Sequence, residues 1–266
     1  MTMLHNVFLK SLRDQRRALV GWSIGIVLFV LLEAALWPSI KQMPDLDKLM
    51  AGYPEAMRKL FSLEEFATGT GFMNAELFSA MLPLLFIVFG IGRGARAIAG
   101  EEEAGTLEVL LITRVSANSL LLQQAAAIAV AVAALGAVTY VAILGSSAVF
   151  NMGIGAGDLA GATLAMVLLG LEFGWLALAV GAATGRRVVA IGFAAAGAVA
   201  AYLLYVAGQL VEAVQPWQQL SPFHQALDGG PLGAGLSPAY GWLALAAAAF
   251  VAVAMPVFDR RDITVH

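Results

Sequence analysis

Glu101-Glu102-Glu103-Ala104-Gly105-Thr106-Leu107-Glu108-Val109-Leu110-Leu111 interrupts two long apolar runs in a chain whose charged content is only 12%. A cluster of carboxylates cannot sit in hydrocarbon, so the runs on either side are two crossings and this stretch is the aqueous turn between them. Read locally it is a helix start: three carboxylates, a Gly that permits a change of direction, and Thr106 as N-cap. Leu107, Leu110, Leu111 and Arg114 then fall at i, i+3, i+4 and i+7, one face of a short amphipathic helix. Such a face needs something to pack against.

Composition agrees with a membrane setting. The 266 residues are 60% hydrophobic, with a mean hydropathy of +0.83, which describes an integral membrane protein rather than a soluble domain. The net charge of -3 and cations confined to segment ends argue against nucleic acid as a partner. Without Cys there is no disulfide framework and no thiolate metal site. His5, His224 and His266 are too scattered for a metal-ligand spacing.

Outward from the acidic stretch, the whole chain, 1–266, reads as one all-α transmembrane domain with six spans. Residues 1–17 carry Leu4, Val7, Phe8 and Leu12 on one side and Lys10, Arg13, Arg16 and Arg17 toward the other, an interfacial helix on lipid headgroups. The apolar run that follows is too long for a secretory h-region and lacks a small-residue cleavage site, so it reads as an uncleaved span. Spans are expected at about 18–37, 78–99, 120–150, 159–183, 188–214 and 239–258. Trp22 and Trp37 anchor the first at its two interfaces. The loop 38–77 contains a short helix opened by Pro54, and Gly69-Thr70-Gly71 reads as a turn. A Gly-rich turn, residues 153–157, precedes the fourth span, and Gly185-Arg186-Arg187 is a tight link to the fifth.

Lys and Arg set the orientation. Lys10, Arg13, Arg16, Arg17, Arg93, Arg96, Arg114, Arg186, Arg187, Arg260 and Arg261 share one side, which the positive-inside rule makes the cytoplasm. Both termini and the segment 100–119 then lie inside, and 38–77 is the long outer loop. Gly21/Gly25, Gly90/Gly94, Gly170/Gly174 and Gly181/Gly185 have the four-residue spacing that permits close helix packing. No internal repeat relates the first three spans to the last three, which weighs against repeat-built secondary transporters.

Among intramembrane acids, Glu33 and Glu212 lie near outer ends, whereas Glu172 falls mid-span and is a candidate for the translocation path. Ser221, His224 and Asp228 come nearest to a hydrolytic set, without a nucleophile elbow. No P-loop occurs, so any ATP must be bound by another chain.

The run Ala99-Gly100-Glu101-Glu102-Glu103-Ala104-Gly105-Thr106-Leu107-Glu108, between a second and a third span, resembles the signature of ABC-2-type permeases, the membrane subunits of ABC exporters. The likeness covers nearly the whole chain. Tyr53-Pro54-Glu55, Gly71-Phe72 and Glu76 in the long loop, and Ser221-Pro222-Phe223 near the end, also look like bacterial drug- and antibiotic-export members. Arg114 departs from a frequent Pro, and Gln123 or Gln124 from a frequent Lys. The resemblance implies a permease in the bacterial cytoplasmic membrane, working as a dimer of identical or related chains. Two ATPase subunits would bind the ATP and Mg, and this chain would hold no cofactor or metal. It implies an ATPase-coupling segment of Glu101, Glu102, Glu103, Gly105, Thr106, Leu107, Glu108, Leu110, Leu111 and Arg114, with Leu107, Leu110 and Leu111 packed in an ATPase groove, the carboxylates meeting basic residues or capping neighbouring helices, and a smaller contact at Arg186 and Arg187. Few charges in the spans suit a hydrophobic or amphipathic substrate. The alternatives are a proton-coupled carrier built on Glu172, and an intramembrane enzyme or scaffold.

Overall fold

The computed structural model of the protein describes residues 7–60, 63–106 and 116–261. Among these, the regular elements are all helical, and six are long and apolar enough to cross a bilayer. They are α1 (Val7–Ile40), α2 (Gly69–Glu103), α3 (Ala117–Phe150), α4 (Ala156–Thr184), α5 (Arg187–Leu210) and α6 (Tyr240–Asp259). The all-α, six-span expectation holds. A helix is the form in which a spanning segment satisfies its own backbone in lipid.

The central element is α4, which packs against α2, α3, α5 and α6. Apolar around its whole circumference, it buries Leu159, Met166, Leu169, Phe173 and Leu178 on successive faces. Its closest neighbour is α2, and glycines set that approach. A Cβ on Gly90 would lie 2.1 Å from the carbonyl oxygen of Gly170, and one on Gly94 would lie 1.9 Å from that of Gly174. Two of the four spaced pairs thus face each other across one crossing. Gly21 and Gly25 instead meet nothing within 4 Å. The α1 helix leans chiefly on α3 and turns Val20, Ile24, Leu28 and Leu32 outward, a face suited to acyl chains.

Several expected boundaries shift. The basic interfacial segment and the first span are one uninterrupted helix, α1, because no Gly or Pro falls between residues 7 and 20 to break it. At 34 residues, α1 is about 50 Å long at 1.5 Å per residue, so it extends well past a hydrocarbon core of ~30 Å. Gly69-Thr70-Gly71 is not a turn but the first turn of α2, capped by the Thr68 hydroxyl, which accepts from the Gly71 N–H at 3.0 Å. These glycines are needed for proximity: a Cβ on Gly69 would fall 2.2 Å from the Met152 carbonyl oxygen, and one on Gly71 1.9 Å from that of Glu65. Of the Gly-rich 153–157 run, Gly157 already belongs to α4, and the reversal is made by Asn151 and Gly153 at positive φ. The α5 helix stops at Leu210 rather than near 214, and the chain folds back so that Gln218 packs against Gly208.

Two π-helical turns, Asn74–Phe78 and Arg96–Gly100, bracket the regular part of α2, Met81–Ala95. In the first, the buried Asn74 amide donates to the Leu232 carbonyl and accepts from the Leu232 N–H, each at 2.9 Å, tying α2 to the last interhelical loop. The long loop contains short helices at Leu46–Ala51 and Glu55–Leu60. The second directly follows Pro54, as expected from the sequence.

Candidate functional site

The carboxylates of Glu101, Glu102 and Glu103 form the last turn of α2, not the first turn of a new helix. The Gly105 N–H donates to the Glu102 carbonyl and the Thr106 N–H to the Glu101 carbonyl, both at 2.9 Å, with Gly105 at φ +68. This is the Schellman ending of a helix, which places a left-handed residue, usually Gly, just past the last turn. The Thr106 hydroxyl points backward too, donating to the Glu101 carbonyl at 3.1 Å and to its Oε2 at 2.7 Å. The sequence signal for this stop is the Gly after a polar helical turn; the helix that Thr106 would start, from 107 on, lies outside the described residues.

Three like charges at a helix C-terminus oppose the macrodipole and need compensation. Each has a separate partner. Glu101 Oε2 accepts from Lys10 Nζ of α1 at 2.9 Å. Glu102 pairs with Arg261, just past the end of α6, and Arg261 Nη1 also donates to the Ala182 carbonyl in the last turn of α4 at 2.6 Å. Glu103 Oε1 accepts from the backbone N–H of Arg187 at 2.8 Å, so it caps the N-terminus of α5 from another part of the chain. Gly185, at φ +66, makes the tight α4–α5 link that places Arg187 there.

The acidic elbow therefore binds together the ends of α1, α4, α5 and α6. Nearby, Gln124 accepts from the buried Ser11 hydroxyl at 2.8 Å and Gln123 from the Phe8 N–H at 3.1 Å, fastening the start of α1 to α3. Of the sequence-derived contact residues, Glu101, Glu102, Glu103, Gly105, Thr106, Arg186 and Arg187 lie at this end of the bundle. Leu107, Glu108, Leu110, Leu111 and Arg114 lie outside the described residues. Lys10, Arg261, Gln123 and Gln124 are the partners that sequence reading did not assign. From sequence, Lys10 reads as an interfacial and orienting cation and Arg261 as an orienting one.

Glu172 is elsewhere, within α4, 6% exposed and with its Oε2 lacking a hydrogen-bond partner among the described residues. The Ser221, His224 and Asp228 set resolves into structure. The Ser221 hydroxyl donates to the Ala201 carbonyl at 2.7 Å and caps the helix Pro222–Leu227 by accepting from the Phe223 N–H. His224 Nδ1 lies 3.7 Å from Asp228. The serine oxygen is engaged as a helix cap and points to no nucleophile.

A family model described as "Multidrug efflux system permease Rv1217c, C-terminal domain" matches residues 4–259. No curated protein matches the sequence.

Proposed function

Because the chain belongs to the multidrug efflux system permease family, we propose that it is the membrane-spanning subunit of an ATP-driven exporter. Two permease chains form the path, and two ATPase subunits bind ATP and Mg on the side of the acidic elbow, which is the cytoplasm. This chain contributes no catalytic site. The observation that carries the reading is the tethering of the elbow: Glu101 to Lys10, Glu102 to Arg261 and Glu103 to the Arg187 N–H. A push applied at the adjoining residues 107–113 reaches four helix ends at once. Closure of the ATPases would in this way shift the bundle between inward- and outward-open packings.

In this scheme Leu107, Leu110 and Leu111 seat in an ATPase groove. The elbow carboxylates hold the permease together rather than reaching for the ATPase. Leu110→Asp inserts a charge into that seat and lowers ATPase association about a hundredfold or more, at the ~3–5 kcal/mol that an unpaired buried charge costs. Co-purification from detergent-solubilised membranes measures it. Unchanged association of a correctly inserted variant removes the coupling-face assignment.

A second reading, a proton-coupled carrier, draws on the buried Glu172, whose Oε2 lacks a hydrogen-bond partner among the described residues. Glu172→Gln separates the two. ATP-driven transport continues near the wild-type rate under the exporter reading, whereas its complete loss in an assembled transporter favours a carrier or a substrate contact by Glu172 in the translocation path.

A further inference from the structure

Between α1 and α2, at the end of the bundle that bears the basic residues, two concavities adjoin. The first, of about 340 Å³, is polar, and Arg17, Arg93 and Arg96 meet in it with Asp14, Gln15 and Glu101. Three guanidinium groups face two carboxylates, and one of those, Glu101, is already held by Lys10. Arg93 Nε and Gln15 Oε1 are buried there without a hydrogen-bond partner among the described residues. The second, of about 610 Å³, is an apolar trough walled by Trp22, Ile26, Phe29, Met81 and Leu85. Ala18 lines both.

The trough exists because Gly21 and Gly25 project nothing into it: no atom comes within 4 Å of where their Cβ atoms would be. A stack behind Trp22 connects the trough to the chamber. The Arg93 guanidinium lies 5.8 Å above the Phe89 ring, and Phe89 meets Trp22 edge to face at 5.7 Å. Along α1 from Arg17 to Phe29, and along α2 from Arg93 back to Met81, the rise is roughly 18 Å on each helix. That is close to one leaflet, half of a hydrocarbon core of ~30 Å. A cationic chamber at headgroup depth thus opens into an apolar trough one acyl chain long.

We infer that this joined cavity is a binding site for an anionic glycerophospholipid, its phosphate against Arg93, Arg17 and Arg96 and one acyl chain in the trough over Gly21 and Gly25. Charge decides the headgroup, since a zwitterionic lipid brings its own cation to a chamber already in cationic excess. Continuity through Ala18 decides the class of ligand, since a small soluble anion leaves the trough unfilled. The inference does not depend on how transport is energised.

The test uses the full-length protein purified in mild detergent and equilibrated with phosphatidylglycerol and phosphatidylcholine of identical acyl chains. Retained lipid is counted by native mass spectrometry. Wild type retains phosphatidylglycerol preferentially. Arg17→Gln/Arg96→Gln, both on exposed side chains, lowers that retention roughly 25-fold, at about 1 kcal/mol per basic residue near a headgroup. Gly25→Leu fills the trough and lowers it as well. Equal retention of the two lipids by wild type, or unchanged retention in either variant, overturns the site. The chain has no Cys, so Gly25→Cys adds a further check: a disulfide-linked permease dimer through position 25 means that a second copy fills the trough, and the lipid assignment fails.

Discussion

Glu102 and Arg261 have side chains only 12% and 16% exposed, whereas Glu101 and Lys10 are 26% and 38% exposed, and this difference decides which ion pair matters. Removing one partner of a mostly buried pair strands the other charge and costs about 3–5 kcal/mol. An exposed pair is worth about 0–1 kcal/mol. Arg261→Gln is therefore expected to lower the unfolding midpoint of the solubilised protein clearly. Glu102→Gln/Arg261→Gln recovers part of the loss, and Lys10→Gln scarcely moves it. A thermal double-mutant cycle reads all three, and additive single losses at 102 and 261 would dissolve the pair. At this scale the sequence displayed the acids but not their partners. Glu102 and Arg261 are 159 positions apart, a separation that no local periodicity reports. Glu103 acts on a backbone N–H, for which a sequence has no symbol.

The α2–α4 crossing is the element on which the bundle closes, and it tolerates no side chain at its centre. With a Cβ on Gly94 only 1.9 Å from a backbone oxygen, Gly94→Ala forces the two helices apart. Its expected cost is about 1–3 kcal/mol or more, the range for overpacking where no flexible side chain can yield. Transport and thermal stability fall together. Gly192→Ala on α5, with nothing within 4 Å of its Cβ position, leaves both near wild type, and equal sensitivity at the two positions would refute the assigned crossing. Hydropathy located the spans well because each is a long apolar run. It could not say which glycine pairs meet, since all four share one spacing and only the tertiary arrangement distinguishes them. Gly69 and Gly71 misled for a related reason: a Gly admits either a positive φ or a close neighbour, and sequence shows only that it is a Gly.

For the molecule as a whole, the odd- and even-numbered interhelical links alternate between two ends, and the absence of Cys makes that arrangement directly measurable. Arg186→Cys and Asn151→Cys, both in links between helices, are expected to react with a membrane-impermeant thiol reagent from opposite faces. Position 186 labels only from the cytoplasmic face, and labelling of both from one face would overturn the proposed orientation. The bundle, its span count and its basic end were legible because hydrophobic length and Lys/Arg bias act over whole segments. The tethering of four helix ends through one acidic turn was not, because it arises from contacts between segments far apart in the chain. The π-helical turn Arg96–Gly100 bears on how such a tether can change over evolutionary time. A π turn accommodates one residue more than an α-helix closes over. Deleting a single residue there would restore regular winding, and because five residues of a π turn sweep nearly the angle that four sweep in an α-helix, Glu101, Glu102 and Glu103 would keep their facing toward their partners. A one-codon deletion in the regular winding of Met81–Ala95 has no such slack and turns the elbow by roughly 100°, so single-residue losses among functioning descendants should gather in 96–100 and be far rarer in 81–95.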